Sequence, residues 1–361
     1  MPGAPDVEPS YEPHSDSMSP VAVGAEQDRG APRTAPRPEL EEAEVSERSI
    51  NVEQAVRERY SEAAGSRENA LCCPVDYDDR YLAVIPPEIL ERDYGCGDPS
   101  RHLFAGETVL DLGSGGGKIC YIAAQIVGAE GAVIGVDVND KMLALAESHR
   151  EEIGDRLGYH NVSFRKGKIQ DLALDCRALE RHLANAPVTD PAGLEALESW
   201  IEAQRRESPL IPSGSVDVVV SNCVLNLVRT EDKLKLFSEI HRVLRTNGRA
   251  VISDIVCDRP VPERLARDPE LWSGCISGAF VEEELLGAFV DAGFFGVEVL
   301  SRGAEPWRVV EGIEFRSITV RADSDERGRD PESKREAAPN DEPQEARAVR
   351  DGCCAQGKPG C

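Results

Sequence analysis

The stretch "VLDLGSGGGK", Val109 to Lys118, joins a short apolar run to three glycines at alternate positions, Gly113, Gly115 and Gly117. The helix-forming segment "KICYIAAQIVG" follows at once, so the whole reads as strand, tight turn and helix. Glycine at such a turn permits positive φ and lets a ligand approach the backbone closely. A second apolar run, "GAVIGVDV", ends in Asp137, about 20 residues on, where an acid bonds ribose hydroxyls. A dinucleotide-binding turn takes G-x-G-x-x-G, whereas position 118 is Lys118 and the spacing is G-x-G-x-G, preceded by Asp111. Dinucleotide binding is therefore the second reading of this turn, and a tight turn without a ligand the third.

Outward from this point the chain alternates. "NDKMLALAESHREEIGDRLG" reads as one helix with Asn139 as its N-cap, "NVSFRKGKI" as a strand, and "SVDVVVSN" as a fully buried strand. "EDKLKLFSEIHRVLRTNG" reads as a helix ending at Gly248, followed by the strand "RAVISDIV". A helix "VEEELLGAFVDAGF" and two terminal strands, "GVEVLSR" and "IEFRSITVRA", complete the series. Alternation at this spacing predicts an α/β fold with a parallel, doubly wound sheet. The expected organisation is a disordered tail over 1–48, an N-terminal helix and cysteine loop over 49–105, and a Rossmann-like body over 106–256. Residues 257–322 complete the sheet, and a disordered acidic tail with a cysteine-rich end spans 323–361. Within the body, 175–213 interrupts the rhythm, and its Leu/Ala/Glu content predicts two surface helices.

Charge narrows the function. Lys and Arg number 41 against 66 Asp and Glu, a net charge of −25 over 361 residues, which repels nucleic acid and anionic lipid. The longest apolar runs fall far short of the ~20 residues of a membrane span. "MPGAPDVEPS" has neither the basic nor the apolar region of a secretory signal. A cytoplasmic protein without nucleic-acid or membrane partners, acting as a monomer, is the expectation.

Eleven cysteines are many for a reducing compartment, where thiols more often mean metal binding, catalysis or core packing than disulfides. Four sites stand in loops: "LCCPVDY" (Cys72 and Cys73), "DYGCGDPS" (Cys96), "VVVSNCVLNLV" (Cys223) and "LWSGCISGAF" (Cys275). Cys223 closes a buried strand, and in an open α/β sheet the carboxyl ends of the strands face the ligand crevice. Cys96 and Cys275 lie in glycine-flanked loops able to reach the same edge. Three thiolates meeting there make a soft, sulfur-only site. A zinc site would call for CxxC pairs or histidines at set spacing, and neither occurs. Cys120 and Cys257 read as core, and Cys176 is unassigned.

The turn G-x-G-x-G after Asp111 resembles motif I of the class I S-adenosylmethionine methyltransferases. Together, "YGCG", "LDLGSGGGKICY", "VSNCVLNLV", "LWSGCISGA" and a tail ending "GCC…C" resemble the arsenite S-adenosylmethionine methyltransferases. The resemblance runs from about residue 50 to 322, with the last eleven residues in addition. It implies the seven-stranded class I methyltransferase sheet, S-adenosylmethionine as cofactor, and methylation of thiolate-bound trivalent arsenic in detoxification. Arsenite or its thiol conjugates would be the substrate, with thioredoxin or glutathione as reductant. By the same match Cys96, Cys223 and Cys275 are the arsenic(III) ligands or redox cysteines, and Cys73 or its neighbour Cys72 is the upstream cysteine able to form a disulfide during turnover. Asp111, Gly113, Ser114, Gly115 and Gly117 are expected at the methionine end of the cofactor and Asp137 with Val138 at the ribose. Ile169 and Gln170 suit the adenine, and Asn222 lines the cleft. The terminal "DGCCAQGKPGC" would capture arsenite or carry incidental thiols. Two departures from the family stand out: the long insertion at 175–213, and an acidic tail where a C-terminal domain often follows. Two other classes stay open on sequence alone. One is a methyltransferase acting on an organic oxygen, nitrogen or carbon, and the other a metalloid-binding protein without catalysis.

Overall fold

The computed structural model describes residues 52–68 and 75–326. Helices α1 (Val52–Ala63), α2 (Asp79–Leu82) and α3 (Pro87–Glu91) lead into an alternating body. That body runs β1 (Thr108–Leu112), α4 (Lys118–Val127), β2 (Ala132–Asp137), α5 (Asp140–Ser148), α6 (Arg150–Leu157) and β3 (Val162–Lys166). It continues through α7 (Cys176–Asn185), α8 (Pro191–Glu207), β4 (Val216–Asn222), α9 (Lys233–Val243) and β5 (Leu244–Cys257). The last part is α10 (Glu263–Ala266), α11 (Pro269–Ser273), β6 (Phe280–Val281), α12 (Glu282–Asp291), β7 (Phe295–Arg302), β8 (Arg308–Val310) and β9 (Ile313–Asp323).

The main sheet has the order β3-β2-β1-β4-β5-β9-β7, the seven-stranded path expected from the sequence, with the short β6 on β5 and β8 on β9. Strands β3 to β5 are mutually parallel, and β9 lies antiparallel between β5 and β7. Helices cover both faces, which is why the central strands read as continuous apolar runs rather than alternating ones. Leu110, Leu112 and Val219 point to one face, against Phe237 and Ile240 of α9 and Phe289 of α12. Val109, Val218 and Val220 point to the other, against α4 and Leu143 of α5. Each such fully buried side chain contributes roughly 1.5–3 kcal/mol.

Two boundaries differ from the sequence reading. The helix expected over "NDKMLALAESHREEIGDRLG" is broken at His149 (φ −104°, ψ −1°), whose N–H donates to Glu147 O two residues back and closes α5 before α6 begins. The His149 ring is held outward by Glu88 (3.2 Å) and Glu152 (3.5 Å). The helix expected to end at Gly248 stops instead at Val243. Leu244 already pairs with Val216, and the next paired residue, Arg249, faces Val218. Residues 245–248 therefore bulge from the strand, turning on Asn247 in the left-handed region (φ 63°).

The segment 175–213 folds into α7 and α8, started by the Asp175 and Asp190 side-chain caps, and neither helix buries a residue. His182 and Trp200 stack across them at 4.2 Å. The chain returns to the core only at Leu210 and Ile211. No helix among the described residues is long and apolar enough to cross a membrane.

Candidate active site

The turns after β1, β2, β3 and β4 open onto one cleft at the carboxyl edge of the sheet, as expected for a parallel α/β sheet. Gly113 follows β1 with φ 69°, and a Cβ there would strike Val224 from the turn after β4. Only glycine lets these two turns lie together. Gly113 and Ser114 donate their amides to Val136 O at 2.8 and 3.1 Å, tying the loop to β2. Gly115 N donates to Asp137 Oδ2 at 2.9 Å, and Asn139 N to Asp137 Oδ1 at 2.8 Å. Helix α1 roofs the cleft. Its Glu53 pairs with Lys168 at 2.7 Å, its Arg59 donates to Glu270 O (2.9 Å) and Ser273 Oγ (3.0 Å), and Asn139 Nδ2 donates to Arg57 O and Ser61 Oγ.

At the far end of the cleft three cysteines meet. Cys96, Cys223 and Cys275 are all buried and share one apolar cluster with Ile255 and Phe315. The cluster runs from Tyr60 through Cys275 and Cys223 to Cys96, each side chain near enough to bear on the next one's protonation. Cys275 Sγ also donates to Cys223 O at 3.3 Å. Donor atoms of Cys96, Cys223 and Asp254 lie within 4.8 Å of one another. No disulfide joins Cys96, Cys120, Cys176, Cys223, Cys257 and Cys275 to one another.

The local backbone explains how each cysteine is aimed. Cys223 (φ 63°) and Cys275 (φ 61°) both sit in the left-handed region, which costs a non-glycine residue about 1–3 kcal/mol and persists only where the surroundings enforce it. Here Cys223 N is held by Ser253 O at 2.8 Å, and Cys275 O accepts from the buried Asn226 amide at 3.4 Å. Cys96 is placed by Asn222, whose Oδ1 accepts from Cys96 N (2.9 Å) and Gly97 N (3.1 Å). Asn222 Nδ2 donates to Gly97 O (2.7 Å) and Tyr77 OH (3.1 Å). A Cβ at Gly95 would collide with that amide, so the glycine flanking Cys96 is a packing requirement.

Electrostatics follow from burial. The Cys275 thiol is pushed well above the ordinary thiol range by its bond to Cys223 and by desolvation. Cys223 ends well above it too: the bond from Cys275 lowers it, and the bond to Cys96 together with burial outweighs that. Without a ligand, Cys223 and Cys275 therefore hold their protons at neutral pH. Burial likewise raises Asp111 to about 7 and Asp254 to about 6. Cys120, expected as core, donates its thiol to Asp111 Oδ2 at 3.2 Å.

A family model described as a methyltransferase domain matches residues 103–293. An arsenite methyltransferase of Aquipseudomonas alcaligenes is 38% identical over 198 residues, covering 55% of this chain and 47% of its own. One from Halobacterium salinarum is 35% identical over 241 residues, 66% of this chain and 49% of its own. The chain thus spans about half the length of the curated relatives it matches. The solved structure of an arsenic(III) S-adenosylmethionine methyltransferase from Chlamydomonas reinhardtii is 30% identical, with a TM-score of 0.53 over 69% of this chain and 74% of that one. The chain belongs to the arsenite S-adenosylmethionine methyltransferase family.

For a member of the arsenite S-adenosylmethionine methyltransferase family the cleft is suitably built. Asp111, Gly113, Ser114, Gly115, Asp137 and Val138 line it. So do Ile169, Gln170, Asn222 and Cys223. Ser114 Oγ is buried without a hydrogen-bond partner, a polar atom left for a ligand among apolar and glycine neighbours. Gly117 is not in the lining; it starts α4 at φ 90° and faces Phe164 and Tyr121. Cys96 and Cys275 stand behind Cys223 rather than on the cleft wall. Cys72 and Cys73 lie outside the described residues, as do Cys353, Cys354, Cys361 and the 1–48 tail.

Two residues of the cluster escaped the sequence reading. Asp254 was visible as a polar break in the strand "VISDIV", one register step from Cys223. Tyr60 carried no signal beyond its place on an amphipathic helix.

Proposed function

We propose that the protein transfers methyl groups from S-adenosylmethionine to trivalent arsenic held by Cys96, Cys223 and Cys275. The observation that supports this most strongly is the meeting of three thiols, distant in sequence, at the carboxyl end of β4 where the glycine-loop cleft ends. In this reading Asp111, Ser114 and the loop amides hold the methionine end of the cofactor, Asp137 the ribose, and Ile169 with Gln170 the adenine. Bound S-adenosylmethionine supplies an electrophilic methyl group on a sulfonium centre.

Arsenite, or its thiol conjugate, exchanges its oxygen or thiol ligands for the three cysteines. Each thiol gives up its proton to the departing hydroxide or thiolate, so the high thiol pKa values are overcome by As–S bond formation. The lone pair left on arsenic then forms the As–C bond as the methyl–sulfonium bond breaks and its electron pair stays on the departing thioether sulfur. Arsenic is oxidised by two electrons in that step, and thioredoxin or glutathione returns it to the trivalent state, with Cys73 or Cys72 as the upstream redox cysteine. No side chain removes a proton from the nucleophile, because arsenic carries none there. The protein's contribution is to hold two reactants in line, an effect that reaches about 7–11 kcal/mol. The rigid seat of Cys96 and the enforced backbone of Cys223 and Cys275 are the means.

The full-length chain, incubated with arsenite, cofactor and thiol reductant, is expected to yield methylated arsenic species and S-adenosylhomocysteine. Cys223→Ser should stop methylation while leaving cofactor affinity nearly unchanged. Methylated arsenic from that variant at the wild-type rate would refute the assignment.

A further inference from the structure

The cluster holds a donor that the arsenic chemistry does not call on. Asp254, near the carboxyl end of β5, is 1% exposed, and a carboxylate oxygen of it lies within 4.8 Å of both Cys96 Sγ and Cys223 Sγ. Its oxygens accept from Leu225 N at 2.8 Å and Ile255 N at 2.7 Å. Each carboxylate oxygen has a second lone pair, so both remain able to donate to an ion. Cys275 Sγ, which donates to Cys223 O at 3.3 Å, stands next to this set of three and is a fourth donor within reach if its side chain turns. Lys233, a buried ammonium whose field reaches Asp254, offsets part of the negative charge.

Donor number separates two kinds of ligand. Trivalent arsenic is pyramidal; it takes three sulfurs and keeps its lone pair uncoordinated. A closed-d-shell divalent ion has no such lone pair and fills a tetrahedron from sulfur, nitrogen and oxygen donors. Two donors at about 2.3 Å and a tetrahedral angle stand about 3.8 Å apart, and the three donor atoms here lie within 4.8 Å of one another. The sequence hides this set, because no CxxC pair announces it; β4, β5 and the loop before β1 assemble it.

We infer that the thiol cluster is also a site for a thiophilic divalent cation such as Cd2+ or Zn2+, with Asp254 as the donor that distinguishes the cation from arsenic. It rests on the same cluster as the proposed function and makes such cations competitors of arsenite. Coordination displaces the thiol protons to buffer and leaves every oxidation state unchanged.

The test uses the full-length chain with Cys72, Cys73, Cys353, Cys354 and Cys361 replaced by serine, kept reduced with a phosphine rather than a thiol. Titration with Cd2+ should give one equivalent of ultraviolet thiolate-to-cadmium absorption, and Cd2+ should displace bound arsenite. Asp254→Asn should weaken Cd2+ binding roughly tenfold or more while arsenite affinity, by equilibrium dialysis, stays within about twofold. Cadmium-edge X-ray absorption of the Asp254-containing protein should show sulfur and oxygen in the first shell, a result independent of any variant's folding. No cadmium absorption band, an all-sulfur shell, or equal loss of Cd2+ and arsenite affinity in Asp254→Asn overturns the inference. Cadmium bound through sulfur and Asp254 in a protein that fails to bind arsenite would leave this site standing and remove the arsenic reading.

Discussion

Cys223 and Cys275, 52 residues apart, meet with Cys275 Sγ on the carbonyl oxygen of Cys223 at 3.3 Å, and both occupy the left-handed backbone region. The same two residues thus carry local strain and two of the thiols proposed to hold arsenic, and backbone strain of this kind persists only where the surroundings enforce it.

Replacing either by glycine separates the two roles. Glycine relieves about 1–3 kcal/mol of strain but loses the packing of a buried thiol and adds unfolded-state entropy of about 0.5–1 kcal/mol. Cys223→Gly and Cys275→Gly are expected to keep stability within about 1 kcal/mol of wild type in urea unfolding, while arsenite binding is lost.

Asn222 is the seat of Cys96. Asn222→Ala leaves Cys96 N and Gly97 N without their acceptor in a part-buried site, at about 1–3 kcal/mol for each orphaned group. Arsenite affinity should fall roughly tenfold or more, since 1.4 kcal/mol is a factor of ten. Gly95→Ala, which forces a Cβ into the same amide, should reproduce the loss; equilibrium dialysis of both variants checks it.

Asp111 predicts a pH slope. Its carboxyl is raised to about 7 by burial, above the unfolded value near 3.9, so the folded state holds the proton more tightly. Its contribution to stability is fully present below about pH 4 and is lost as pH rises toward 7, at most on the order of 4 kcal/mol. Urea midpoints of the cofactor-free protein should show this component falling between pH 4 and 7, and Asp111→Asn should flatten it.

The insertion and the core should respond oppositely to truncation. No residue of α7 or α8 is buried, so Trp200→Ala should cost less than about 1 kcal/mol. Phe237 of α9 is fully buried against Phe280 and Phe289, and Phe237→Ala should cost about 3–5 kcal/mol. Thermal unfolding of the two variants compares them directly.

What the sequence revealed follows from which signals are local. The Gly113–Gly117 turn, Asp137 and the valine run of β4 announce themselves by spacing and period, so the sheet and its cleft were legible. The three loop cysteines were legible because thiols beside glycine at strand ends are chemically conspicuous. Asp254 was harder, since a buried acid in a strand has meaning only once β4 and β5 are in register. The break at His149 and the bulge at 245–248 are set by contacts with Glu88 and by pairing with Val216, both tertiary facts. Asn222 was placed in the cleft, yet its hydrogen bonds to the Cys96 loop could not be read from a single strand end.

The central claim is that three separated thiols hold one arsenic atom. Arsenic-edge X-ray absorption of the stoichiometric arsenite complex, with serine at Cys72, Cys73, Cys353, Cys354 and Cys361, tests it most directly. Three sulfur neighbours, reduced to two in each of Cys96→Ser, Cys223→Ser and Cys275→Ser, is the predicted result. An oxygen-dominated shell, or a shell unchanged by those substitutions, would contradict the account.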